Sequence, residues 1–115
     1  MENHLPLDSV FHALADPTRR AVISRLVSGA APVKELAAPF AMGLPSFMKH
    51  LHVLERDGLI VTRKVGRVRM CHAEIAKLAA AETWLLQQRA LWEAQTDRLA
   101  NYVENQMPGS TTDAS

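Results

Sequence analysis

KELAAPFAMGLPSFMKHLHVLERDGLI, Lys34 to Ile60, is the stretch on which the fold turns. It reads as a short helix, a tight turn and a longer helix. The first helix covers about Val33 to Ala38, and Pro39 limits its extension, since proline lacks the ladder N–H and its ring clashes with the preceding turn. Phe40, Ala41, Met42 and Gly43 make the connection. The second helix spans Leu44 to Asp57, with Pro45 tolerated in its first turn and Gly58 placed as a left-handed cap. Leu44, Phe47, Leu51 and Leu54 fall on one stripe at about 100° per residue. Leu36, Phe40, Met42, Phe47 and Leu51 are spaced for a shared core, and Ala37 is the small residue that two steeply crossed helices need at their closest approach. The opposite face displays Pro45, Ser46, Lys49, His52, Val53 and Arg56, flanked by Met48 and His50. It carries no acid, as a helix entering the major groove of DNA requires.

Two short strands follow, Leu59 to Val65 and Val68 to Cys71. Gly66-Arg67 between them suits a two-residue hairpin turn whose first position needs glycine. Arg63, Lys64, Arg67 and Arg69 crowd into this hairpin. Exposed hairpins collect such residues for solubility, because charge blunts an edge strand. Directly after a helix-turn-helix, the same cluster reads as a wing laid along DNA phosphates or into a minor groove. The formal net charge of the 115-residue chain is only +1, but residues 44–73 carry six basic against two acidic groups. From Glu74 onward three basic groups face six acidic ones, so the positive field is local to the predicted interface.

Outward from this centre, a first helix runs from about Asp8 to Leu14. Asp16-Pro17 opens a second, with an acceptor at the N-cap and proline at the first helical position. Ile23, Leu26 and Val27 continue its apolar stripe, and Gly29 ends it. A last helix covers about residues 74–106, with Leu78, Leu85, Trp92 and Leu99 recurring every seventh position and Trp84, Leu91, Tyr102 and Val103 beside them. At roughly 45 Å such a helix is longer than one domain can cover. A twofold-related copy is the simplest partner, and Val10, Phe11, Leu14, Leu78, Leu85, Trp92, Leu99 and Tyr102 are the predicted dimer-interface residues. Residues 1–107 thus form one winged helix-turn-helix domain, mainly α with a β-hairpin wing, and residues 108–115 a disordered tail.

The sequence resembles the ArsR/SmtB family of bacterial winged-helix repressors. ALADPTRRAVISRL (Ala13 to Leu26) is similar to that family's second-helix signature. Lys34 to Ile60 is similar to its helix-turn-helix and first wing strand, and GRVRMCH (Gly66 to His72) to its wing return. The resemblance implies a symmetric dimer, joined through its first and last helices, that binds an inverted-repeat operator in double-stranded DNA as a repressor. Two positions depart from the family pattern. Gly43 stands where a serine often opens the recognition helix, and Met48 where a second serine often precedes Lys-His. Ser46, Lys49 and His50 are the contacts that carry over best, joined by His52, Arg56, Arg63, Lys64, Arg67 and Arg69.

Metal-sensing members of the family place cysteines on the third helix or Asp, His and Glu on the last. Here the third helix has no cysteine and the last helix no histidine. A soft-metal or zinc site needs several thiolate or imidazole ligands, so neither a metal nor a cofactor is expected. The single cysteine, Cys71, excludes an internal disulfide and reads as a small strand residue rather than a redox switch. No phosphate-binding glycine loop, catalytic triad or paired carboxylates can be read, so an enzyme is not expected. Two alternatives remain open: a winged-helix protein-interaction module, and a regulator responding to an organic effector bound at the dimer seam near Trp84 and Trp92. No apolar run is long enough to span a bilayer, and Glu2, His4, Pro6 and Asp8 do not make a signal peptide, which points to the cytoplasm.

Overall fold

A computed structural model describes residues 5–106. In chain order these form α1 (Leu5–Leu14), α2 (Pro17–Val27), β1 (Ala31–Pro32), α3 (Val33–Ala37), α4 (Leu44–Arg56), β2 (Ile60–Val65), β3 (Val68–Ala73) and α5 (Ile75–Gln106). They fall into two compact bodies, one ending at Ala81 and one beginning at Glu82. The predicted tail lies outside the described residues.

The first body is the winged helix-turn-helix. Its core gathers Val10 and Ala13 of α1, Val22, Ile23 and Leu26 of α2, Leu36 of α3, Phe47, Leu51 and Leu54 of α4, and Leu59, Ile60 and Cys71 of the sheet. Helix α1 starts three residues earlier than Asp8, because Pro6 sits in a first turn where its missing N–H is no loss. Asp16 caps α2 as expected, its Oδ2 accepting from the Arg19 N–H at 3.0 Å. The two arginines that follow satisfy the end of α1. Arg19 donates through Nε to the Ala13 carbonyl at 2.8 Å and through Nη2 to that of His12 at 3.1 Å, and Arg20 donates to that of Leu14 at 2.8 Å. One short segment therefore closes one helix and opens the next.

Helix α4 ends in a Schellman motif. The Leu59 N–H donates to the Leu54 carbonyl at 2.9 Å and the Gly58 N–H to that of Glu55 at 3.1 Å. Gly58 has φ of 83°, a conformation that a side chain would strain. Leu54 and Leu59, the apolar pair that accompanies the motif, are both fully buried. Asp57, the C-cap, accepts from His12 Nδ1 at 2.7 Å and so ties α4 to α1.

The sheet has three strands rather than two, in the order β1-β3-β2, all antiparallel. Strand β1 pairs Ala31 with Cys71 and Pro32 with Met70. Two residues give no alternation to read, and Pro32 reads as a breaker, yet proline is admissible on an edge strand. With β1 on its free side, β3 becomes the central strand, and Cys71 is completely buried there. The hairpin turns at Gly66, φ 65°, with Arg67 at ordinary negative φ, the turn type predicted.

One residue of the apolar stripe on α4 does not reach the core. Leu44 is 57% exposed, whereas Phe47, Leu51 and Leu54 are buried. It is the first residue of α4, one turn ahead of the part that packs on the rest of the domain, so its side chain faces α3 and the wing instead.

The second body is the remainder of α5, whose described side chains from Glu82 to Asn105 are all exposed. No described helix is long and apolar enough to cross a membrane.

Candidate nucleic-acid interface

Pro45, Ser46, Lys49, His52 and Arg56 are all exposed on α4. Steps of four, three and four residues place Pro45, Lys49, His52 and Arg56 on one face. The N-cap, Gly43, offers no side-chain acceptor to the first turn, which leaves that positive end of the helix open to an anion. Arg56 Nε lies 3.5 Å from Asp57 Oδ1, so part of its charge is already answered within the chain.

His50 does not share this face. It is half-buried, its Nδ1 3.3 Å from Arg19 Nη1 and 3.6 Å from Asp16 Oδ2. It faces α2 and helps seat α4 against the start of that helix. Burial is the largest single influence on Asp16 and pushes its carboxyl up. The Arg19 N–H, the His50 imidazole, the Thr18 N–H and the Arg19 guanidinium together outweigh it and hold the carboxyl below its usual range.

The hairpin register divides the four basic wing residues between two faces. Lys64 lies directly opposite Arg69, and Thr62 opposite Cys71, so these side chains share the face that is buried at its base. Arg63 lies opposite Met70 on the other face, near Val61, His72 and Glu74. Arg69 Nη1 donates to Thr62 Oγ1 at 3.1 Å, and that hydroxyl donates to Glu55 Oε2 on α4 at 3.0 Å. Thr62 and Glu55 therefore join the wing to the recognition helix, a role not anticipated from the sequence. The period-two alternation of strands was the signal that separates Arg63 from its neighbours. Lys34 of α3 was also missed; it stands in one cleft with Arg67 and Arg69.

Of the predicted dimer residues, Val10 is 0% exposed within its own chain and has no surface left for a partner. Its place on the inner side of α1 makes it a core residue. Leu14 and Leu78 are half-buried against the same core, while Phe11 is exposed. Leu85, Trp92, Leu99 and Tyr102 are exposed on α5.

Cys71 is buried between β1 and β2. Burial, the largest influence, pushes its thiol up; the Glu55 carboxylate adds to this and Arg69 partly offsets it. That is the opposite of what a reactive thiolate needs.

Residues 14–63, from the end of α1 to the first half of the wing, match a helix-turn-helix domain family. The HTH-type transcriptional regulator Rv2034 of Mycobacterium tuberculosis is 36% identical over 83 residues, 72% of this chain and 78% of the relative. A crystal structure of the ArsR family transcriptional regulator RHA00566 is 58% identical and superimposes with a TM-score of 0.71, covering 76% of this chain and 97% of that one. The chain belongs to the ArsR family of transcriptional regulators. The transcriptional repressor SdpR of Bacillus subtilis is 28% identical over 80 residues, 70% of this chain and 89% of the relative. The helix-turn-helix match spans α2 to α4 and most of β2, and so includes the exposed basic face of α4.

Proposed function

We propose that this ArsR-family chain is a cytoplasmic homodimeric repressor that binds an inverted-repeat operator in double-stranded DNA and has no catalytic activity. The observation that carries the reading is the acid-free exposed face of α4, Pro45, Lys49, His52 and Arg56, beside a wing bearing Lys64 and Arg67. In this reading Ser46, Lys49 and His52 approach base edges and nearby phosphates from the uncapped end of α4, and Arg56 meets backbone further along. Lys64, Arg67 and Arg69 follow the phosphates of the adjacent groove, with Arg63 contributing less from the opposite face. A second copy joined along α5 supplies the other half-site, supported by the exposed Leu85, Trp92, Leu99 and Tyr102. Repression is the activity named for SdpR and is extended here to this chain.

The test is selection from random duplex oligonucleotides with the purified chain, followed by titration of the enriched sequence over a range of salt. An enriched inverted repeat whose affinity falls steeply with salt is the expected outcome. Equal binding of every duplex sequence would sink the reading in favour of a winged helix that contacts protein.

A further inference from the structure

Leu44 at 57% and Val68 at 46% exposure are two large apolar side chains left open beside a surface otherwise suited to phosphate. Both line a cleft of about 790 Å³ bounded by α3, the turn after it and the wing, whose apolar wall is completed by Val33, Ala37 and Met42. Lys34, Arg67 and Arg69 stand in the same lining, and no carboxylate does. The acids nearest in sequence are engaged elsewhere: Glu35 with Arg25 at 2.7 Å and Glu55 with the Thr62 hydroxyl. Phosphate contacts require donors, and apolar contact with DNA is made one side chain at a time with a thymine methyl or base edge. DNA binding therefore does not account for a concave wall of five apolar side chains. Several hundred Å³ lined mainly by apolar groups, with a few convergent polar ones, is instead the usual form of a small-molecule site.

We propose that this cleft binds an organic anion with a medium-length aliphatic tail. The carboxylate is held at Arg67 and Lys34, with Arg69 alongside, and the tail lies along Leu44, Met42 and Val68. An uncharged ligand would leave the cations unanswered, and a small inorganic anion would leave the apolar wall wet. Arg67 is also a proposed phosphate contact, so the ligand and DNA compete. That consequence rests on the DNA-binding reading; the binding itself does not.

The test is calorimetric titration of the full chain, without DNA, by decanoate, decan-1-ol and acetate. Decanoate is expected to bind saturably at one per chain, at least about tenfold tighter than either control. Leu44→Ser with Val68→Ser, and separately Ala38→Trp at an exposed position of the same lining to fill the cleft, should each weaken it by about tenfold or more. The serine pair lies at exposed positions, and the tryptophan variant gives a second reading if one of them folds poorly. Binding that survives both sets places the decanoate elsewhere, such as the apolar face of α5, and overturns the site. Absence of saturable binding, or equal affinity for the alcohol, overturns it as well. Decanoate that binds in the cleft yet leaves the affinity of the selected operator unchanged refutes the competition while leaving the site in place.

Discussion

Arg69 of the central strand β3 donates to the Thr62 hydroxyl at 3.1 Å, and that hydroxyl donates in turn to Glu55 on α4. The two elements proposed to face DNA are thereby linked by side chains as well as by the chain itself. The link also divides the basic wing residues by the charge each has left for DNA. Arg67 at the tip has no carboxylate in this chain of bonds, while Arg69 shares the field of Glu55.

Salt dependence separates the two. Arg67→Ala is expected to reduce the slope of log affinity against log salt by about one, the signature of one lost phosphate contact. Arg69→Ala should reduce it by less, and Arg63→Ala least, because Arg63 is on the opposite face of the hairpin. Fluorescence anisotropy with the selected operator at several salt concentrations measures all three. Equal slope changes would show that the division of faces does not matter to binding.

Lys49 and His50 are neighbours in sequence with different surroundings, one exposed and one half-buried against α2. Lys49→Ala is expected to lower operator affinity and the salt slope while leaving thermal stability close to that of the parent. His50→Ala should do the reverse, lowering the melting temperature by loosening the seat of α4 with little change in the slope. Thermal unfolding followed by circular dichroism, set beside anisotropy, checks the exchange of effects; a slope loss in His50→Ala without a stability loss contradicts it.

Much of this was legible from the sequence because the local signals agree with one another. Asp16-Pro17 and Gly58 mark helix ends by their own backbone chemistry, and Gly66 marks the hairpin turn. What escaped depends on contacts distant in sequence. Nothing local announces that Ala31 and Pro32 pair with β3, and without that strand the complete burial of Cys71 has no cause. Helical periodicity puts Leu44 on the apolar stripe of α4, but periodicity gives direction, not whether anything packs there. Val10 was placed at an interface because amphipathicity does not distinguish a chain's own core from a partner. The predicted DNA-contacting set on α4 remains together apart from His50, which turns toward Arg19 and Asp16.

Asp16→Ala removes the cap of α2 and is expected to destabilise the protein by about 1 kcal/mol. The carboxyl is held below its usual range in the folded chain, so the unfolded chain binds the proton more readily. This contribution is complete above the unfolded pKa near 4 and is lost as pH falls through the lower folded value. Urea unfolding of parent and Asp16→Ala between about pH 7 and pH 3 should therefore show the difference shrinking with acid. A difference that stayed constant or widened would mean that Asp16 acts otherwise than as an ionised cap.

Cys71 should resist alkylation. Its side chain is fully buried and its thiol is pushed above the ordinary range, first by burial and then by Glu55. Iodoacetamide at neutral pH is expected to modify the native chain far more slowly than the chain in denaturant, as mass spectrometry would read directly. A raised folded pKa also means that stability falls as pH rises through the unfolded thiol value near 8.5. Cys71→Ala should abolish that part of the alkaline loss. Rapid labelling of the native chain at neutral pH would instead give the thiol a reactive role.

Leu85, Trp92, Leu99 and Tyr102 lie in the second body, where Trp92 is 69% exposed and Leu99 63%. Side chains of this size transfer from water with a gain of about 1.5–3 kcal/mol each when fully buried. A twofold interface counts each residue twice, so a few of them supply much of what a stable dimer needs. Neither Trp92 nor Leu99 belongs to the core of the first body, so replacing them leaves its folding untouched. Trp92→Glu with Leu99→Glu is therefore expected to yield a folded monomer in sedimentation at micromolar concentration, with the near-complete helical signal of the parent. Operator affinity should fall by several orders of magnitude, toward that of a single half-site, while the residual binding keeps its dependence on Lys49 and Arg67. If the double variant stays dimeric, the partner surface lies elsewhere and α5 has some other occupant. If it becomes monomeric and binds the operator as tightly as before, the two half-sites are read independently and the proposed twofold recognition is wrong.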